Sequence, residues 1–414
     1  MNYIRALASV CRNQAKNIFN LLHARRASFP SLGSMTLDLD DVGIAKKWLN
    51  SREQWDDRNI IQQYESEFAA WNGSRFAFAF MGGRVGLSAC IHALDLKPGD
   101  EVIVPGYTCV VVPNAFQYAG VKPVYADIEL ETYGLDAERV EERISTKTRA
   151  ILIHHLYGLV CRDIEPLLDI AKRKGLRVIE DCAHSTGALY KRRKVGNFGD
   201  AAFYSSEQSK IFNTIQGGIT VTNDNSIANR IREYSASAPF PDRISVDRQL
   251  HNVILNYYRY KHPNKWWRSD AAILRYAAKE IISTTPEEVC GIRPCHYGRR
   301  MPAPIAALAI NQLYKIDHYN QLRRCTATIW DLWCNQHSYG KPYVHPESTP
   351  VFLRYPVMVE EQKKRNRQWA RKSLGVDLGV WFISNIHPAG LRVDGCPNSN
   401  RAVAQCINFP TLLR

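Results

Sequence analysis

Short apolar runs alternate with amphipathic stretches through the first half of the chain. Phe76–Phe80, Val102–Val104 and residues 121–126, 150–154, 177–180, 201–205 and 219–222 are compact apolar segments bounded by Gly, Pro, Asn or Asp. Runs of that length, apolar on both alternating faces, predict strands covered on both sides. Between them lie helical patterns: Tyr64–Trp71 stopped by Gly73, Arg84–Leu94 after Gly82-Gly83, and residues 163–174. Lys97-Pro98-Gly99-Asp100 is a turn, and Pro105 ends the strand that follows it. Strands interleaved with crossover helices predict an α/β fold with a largely parallel sheet, whose loops gather at the carboxyl edge. Ligands usually bind at that edge.

The rhythm breaks at residue 239. Trp267, Ala271, Leu274, Ala278 and Ile281 form an apolar stripe at helical spacing, suited to covering a core, to a substrate lid or to a membrane-facing helix. A long helix is expected from Ala303 to about Thr328, followed by a weaker α/β pattern. The chain therefore divides into a basic amphipathic segment (1–37), a large domain (38–238), an insertion (239–297) and a smaller C-terminal domain (298–414). The first segment carries Arg5, Arg12, Lys16, Arg25 and Arg26 and no acidic residue. It suits a helix packed on its own protein, a frayed arm, or contact with a membrane surface.

At 414 residues, 45% hydrophobic and 23% charged, the chain is long enough for two cores and is not compositionally disordered. No apolar run reaches the roughly 18 to 20 residues that span a bilayer, and no secretory core opens the chain. The eleven cysteines are scattered without a CxxC pair, which fits a reducing cytoplasm and no zinc site. A net charge of +14 invites a nucleic-acid partner, but the basic residues are spread along the chain and no nucleic-acid motif is present. Anionic small molecules account for the charge more simply.

Two residues stand out by position. Asp181 follows the strand Val178-Ile179-Glu180, and Lys210 follows the strand at 201–205 after the short loop Ser206–Ser209. Both are expected at the carboxyl edge, and Gly217-Gly218 further on permits close backbone approach. Taken alone, the pair fits a helix-capping Asp and a solvated loop lysine better than it fits a site.

The surrounding motifs are more specific. Val178–Ala188, Gly196-Asn197-Phe198-Gly199-Asp200 and Phe203–Gly218 resemble the DegT/StrS-type sugar-nucleotide aminotransferases. Pro98–Thr108, Pro123–Asp127 and His155-Leu156-Tyr157-Gly158 are similar to that family as well. The resemblance implies a fold type I pyridoxal-phosphate transferase: a large domain with a mostly parallel central sheet flanked by helices, plus a smaller C-terminal α/β domain. It implies pyridoxal 5'-phosphate as cofactor, Lys210 as the Schiff-base lysine and general base, and Asp181 as partner of the ring nitrogen. Tyr107 would stack on the ring. His184 would contact the ring or its 3-oxygen, or else be a core histidine bonded to backbone. Gly83 and Arg84 would open a helix whose N-terminus holds the phosphate together with Ser205.

The implied reaction is transamination from a donor, glutamate by expectation, to a keto-sugar carried on a nucleotide, by a homodimer in the cytoplasm. Some features depart from the family pattern. Gly82-Gly83-Arg84 stands where Ser-Gly-Thr is usual, and Gly298-Arg299-Arg300-Met301 lacks the Asn that a partner subunit offers the phosphate. These departures keep open a non-catalytic or regulatory protein on the same fold. A related sugar dehydratase is the other alternative, but its lysine position is characteristically histidine. A dinucleotide-dependent dehydrogenase is unsupported, since no GxGxxG follows the first strand.

Overall fold

The computed structural model describes residues 32–261 and 281–412. The basic segment up to residue 31 and the stripe residues Trp267, Ala271, Leu274 and Ala278 lie outside them.

Seven strands form the central sheet: β1 (Phe76–Phe80), β2 (Glu101–Pro105), β3 (Lys122–Ala126), β4 (Thr148–His154), β5 (Arg177–Asp181), β6 (Ala201–Ser205) and β7 (Gly218–Thr222). Their spatial order is β1-β7-β6-β5-β4-β2-β3. Neighbours from β6 to β3 are parallel, while β7 runs antiparallel to both β1 and β6. The expected mostly parallel sheet is therefore present. Every residue of β2, β6 and β7 is buried, because helices cover both faces.

Helix α1 (Leu39–Leu49) precedes α2 (Arg58–Asn72). The latter starts a turn and a half before the expected Tyr64, because Asp57 caps it by accepting the Asn59 N–H at 2.9 Å. It ends, as expected, on left-handed Gly73. Helix α3 (Gly83–Ala93) lies so close to the sheet that a Cβ on Gly86 would stand 2.6 Å from Thr220 Oγ1. Helices α4 (Val111–Tyr118), α5 (Ile164–Lys174) and α6 (Asn225–Ser237) complete the layers.

Within the expected insertion, α7 (Arg243–Lys261) buries Val246, Leu250, Val253 and Ile254 in the main core. Its Gln249 amide donates to the carbonyls of Thr214 at 2.7 Å and Gln216 at 2.5 Å, securing the loop that follows Lys210. The single long helix expected after Ala303 is two: α8 (Ala303–Leu313) and α9 (Ile316–Gln336). The chain turns at Tyr314-Lys315, where Lys315 reaches the carboxylates of Asp40 and Asp41 in the first turn of α1, at 2.6 and 2.9 Å. A second core around Trp330, Tyr355 and Phe409 is closed by the antiparallel pair β8 (Tyr355–Met358) and β9 (Cys406–Phe409).

Candidate active site

The sheet register brings the site residues together. His154 pairs with Asp181, Asp181 with Phe203, Ser205 with Gly218, and Gly218 with Phe80. The carboxyl ends of β4, β5 and β6 thus open side by side, next to the start of α3. A cavity of about 260 Å³ sits over this edge, lined by Gly83, Arg84, Asp181, His184, Ser205 and Lys210 among others.

Lys210 Nζ lies 2.8 Å from His184 Nε2 and 4.8 Å from the centre of the Trp381 ring. Burial holds its pKa below the usual lysine value, against the pull of Glu207, Cys109 and Asp181. The His184 tautomer follows from its other nitrogen. The Tyr157 N–H points at Nδ1 at 3.4 Å, leaving Nε2 to carry the hydrogen. The contact between Nε2 and Nζ suits a neutral lysine amine as acceptor. Tyr157 takes a left-handed backbone (φ 57°) to aim its N–H this way. Burial, then the Lys210 charge, pushes the His184 pKa well below the ordinary imidazole value.

One oxygen of Asp181 accepts the Ala183 N–H at 2.9 Å. Burial raises the pKa of this carboxyl, partly offset by that bond and by Lys210. Its neighbour Glu180 faces away from the cavity. It accepts the N–H groups of Gly196, Phe198 and Gly199 at 2.7–2.8 Å and contacts His155 Nε2 at 3.2 Å. Asp200 accepts the Val178 N–H at 2.7 Å. The 196–200 motif therefore locks β5 in register and holds Asp181 at the edge.

The anion end is built from α3. Gly82 is extended at the N-cap and has no side chain to cap the helix; its carbonyl accepts the Val85 and Gly86 N–H groups, which leaves those of Gly83 and Arg84 for an anion. A Cβ on Gly83 would meet Ser205 Cβ at 3.0 Å, so only glycine lets the helix start close against that hydroxyl. Gly218 is tighter still, with the Gly83 nitrogen 2.4 Å from where its Cβ would be.

Two expectations need correction. Tyr107 does not reach the cavity: it is fully buried, its hydroxyl 2.8 Å from that of Tyr157 and its ring edge-on to Phe382 at 4.7 Å. Thr108 and Cys109 line the cavity instead. The cause is a parallel bridge of Thr108-Cys109 with Ile386-His387, which turns the preceding tyrosine into the core. The guanidinium of Arg84 is also not free for an anion. It pairs with buried Glu288 and donates to the Ser283 carbonyl. Phe382, Cys109 and Glu288 line the cavity without having stood out in the sequence, because none lies in a recognisable run, and His154 joins them from the end of the 150–154 strand.

The donor set fits one kind of group. A helix N-terminus and a serine hydroxyl suit a phosphate, a buried carboxylate suits a protonated ring nitrogen, and a neutral amine suits an aldehyde. These are the complements of pyridoxal 5'-phosphate. The fold is that of a fold type I pyridoxal-phosphate protein. Residues 44–413 match the model of the DegT/DnrJ/EryC1/StrS aminotransferase family, and the chain belongs to that family, whose members use pyridoxal phosphate.

The chain is similar to GDP-perosamine synthase of Escherichia coli O157:H7, 36% identical over 56% of this chain and 60% of the relative. It thus spans about three-fifths of that relative's length. It is 32% identical to the spore coat polysaccharide biosynthesis protein SpsC of Bacillus subtilis, over 81% of this chain and 76% of SpsC. An aminotransferase structure from Psychrobacter cryohalolentis shares the fold at a TM-score of 0.70 and 24% identity, covering 93% of this chain and 95% of that one. Among the described residues no helix is long and apolar enough to cross a membrane.

Proposed function

We propose that this chain is an aminotransferase that takes an amino group from glutamate and delivers it to a keto-sugar carried on a nucleotide. The observation that carries the reading is the convergence of the Lys210 amine and the Asp181 carboxylate on one cavity beneath the N-terminus of α3. Bound pyridoxal phosphate supplies an aldehyde that exchanges amines and a ring that accepts electron density as the substrate C–H bond breaks.

The chain's own groups do the rest. Lys210 would hold the cofactor through Nζ and would serve as the base that moves the proton during amino transfer. Its lowered pKa suits a base that must be neutral near physiological pH. His184 holds the amine through Nε2–H and orients it. Asp181 keeps a proton on the ring nitrogen, and the positive charge there favours its ionised form. Gly83 and Ser205 hold the phosphate. Phe382 walls the cavity, and the Trp381 ring lies against the Lys210 amine.

Residues 239–297 are read as an insertion that shapes the substrate entrance, supported by Pro241, Asp242 and Ser245 at the cavity wall. A homodimer is the proposed assembly, supported by the family resemblance and by the exposed apolar side chains of Ile383 and Leu391. Nine cysteines among the described residues are free and Cys325 is disulfide-bonded, so the proposed cytoplasmic location is supported by the family resemblance and not by the cysteines.

The test is spectroscopic. Purified protein with pyridoxal phosphate should develop a visible band that glutamate bleaches and that one member of a panel of nucleotide-linked keto-sugars restores. A band that forms, yet responds to no amino donor, would refute amino transfer.

A further inference from the structure

A second cation is buried close to the Lys210 amine. Arg354, immediately before β8, is 2% exposed, and its guanidinium lies 5.7 Å from the centre of the Trp381 ring. The same ring has Lys210 Nζ at 4.8 Å and the centre of the His184 ring at 4.3 Å. Among the described residues no carboxylate pairs with Arg354. Its Nη1 donates to the Leu353 carbonyl at 2.8 Å and its Nη2 to the Gly33 carbonyl at 3.2 Å, while Nε is buried without a hydrogen-bond partner. Burial lowers its pKa to about 10, which leaves it cationic at neutral pH. A charge held out of water with no counter-charge is costly, so packing alone does not account for an arginine here.

The backbone of Arg354 joins the same group of residues. Its N–H donates to the Tyr157 carbonyl at 3.3 Å, and the N–H of that tyrosine points at His184 Nδ1. A Cβ on Gly158 would stand 2.5 Å from the Leu353 nitrogen, so the two segments run in close contact. Beside Gly33, the Ser34 N–H donates to the Gln208 carbonyl at 2.8 Å, in the loop that leads to Lys210. Arg354 therefore ties together three segments that surround the lysine: residues 33–34, Tyr157 and Trp381.

The remaining charged and titratable groups facing Lys210 divide by sign. Glu207, Cys109 and Asp181 favour its charged form, and Arg84 opposes it. The charge of Arg84 is balanced by Glu288. Burial keeps the imidazoles of His184 and His387 neutral. Arg354 is then the cation without a counter-ion beside the pair, and its charge is felt at His184. Like charges that share a water-poor space disfavour one another.

We propose that Arg354 is a positioning residue for amino transfer: through Trp381 and Tyr157 it seats the Lys210–His184 pair, and its charge keeps a second cation from settling on the lysine. The proposal rests on the reading of Lys210 as the cofactor lysine. Arg354 itself touches neither cofactor nor substrate in this role.

The test follows the full chain as it takes up pyridoxal phosphate. The rate at which the visible band forms is measured as a function of pH, and the midpoint of that profile reports the unprotonated amine. Ionisations of pyridoxal phosphate are common to every variant and drop out of the difference. Arg354→Gln should raise the midpoint by about one pH unit and slow band formation at neutral pH by about tenfold. Arg354→Lys, which keeps the cation, should restore the wild-type rate at neutral pH. A merely structural role would lower the melting temperature of both variants and leave both midpoints in place, and that result would overturn the proposal. So would weaker glutamate binding in Arg354→Gln with an unmoved midpoint, which would place Arg354 at the substrate.

If Arg354→Gln does not melt cooperatively, Arg354→Met, which keeps an apolar stem against Trp381, takes its place with the same outcomes. A wild-type protein that forms no visible band would contradict the cofactor reading. A band whose midpoint ignores the charge at position 354 would contradict this proposal alone.

Discussion

The side chains of Lys210 and His184 meet at 2.8 Å, amine to Nε2, while the backbone N–H of Tyr157 occupies the other imidazole nitrogen. This geometry suits His184 as donor and a neutral Lys210 amine as acceptor. Burial of both groups favours the same state.

His184→Phe removes the donor while keeping a ring against Trp381, whose centre lies 4.3 Å away. Turnover should fall by roughly ten- to a hundredfold, within the range of positioned proton-transfer groups. The visible band should remain, because Lys210 is untouched. His184→Asn, which still offers an N–H, should recover part of the rate. Stopped-flow rates of bleaching by glutamate make the comparison.

Asp181→Asn is expected to act on the chemistry more than on docking. The amide cannot hold a proton on the ring nitrogen, so the proton-transfer rate should drop by about 10²- to 10⁴-fold. Cofactor affinity should change by less than about tenfold. Single-turnover kinetics and a cofactor titration separate the two.

Gly83→Ala places a methyl 3.0 Å from Ser205 Cβ and 3.2 Å from the Tyr204 carbonyl. The first turn of α3 must shift, at about 1–3 kcal/mol of stability. Phosphate retention should weaken with it. Denaturant melts and cofactor dialysis read both effects, and an unchanged affinity would move the phosphate away from this turn.

Acid stability has a specific source in His154. Its Nε2 bonds the Tyr133 carbonyl at 2.7 Å, its Nδ1 is buried without a partner, and burial lowers its pKa to about 3. The unfolded chain protonates this imidazole near pH 6.5, the folded chain only near 3. Between those values the unfolded state binds more protons, so stability falls as pH falls through the window. The contribution is up to about 4 kcal/mol. His154→Gln should flatten that part of the stability profile, as measured by urea melts from pH 7 to 4.

Much of this arrangement is legible in the chain. Buried strands such as residues 150–154 and 201–205 read clearly because both of their faces are apolar. The placement of Asp181 and Lys210 follows from their positions just beyond two such strands. What could not be read depends on partners distant in sequence. Arg84 meets Glu288 across most of the chain, and Tyr107 is turned inward by a bridge to Ile386-His387. The break at Tyr314-Lys315 serves aspartates of α1 near the other end of the chain. A motif marks position along the backbone, whereas these contacts depend on how separate segments pack.

The central claim is that Lys210 anchors the cofactor. Reduction of the pyridoxal-phosphate-loaded protein with borohydride, followed by peptide mapping, tests it most directly. The account predicts a pyridoxyl adduct on Lys210 alone, absent from Lys210→Ala. An adduct on a different lysine, or an equal yield from the variant, would contradict it.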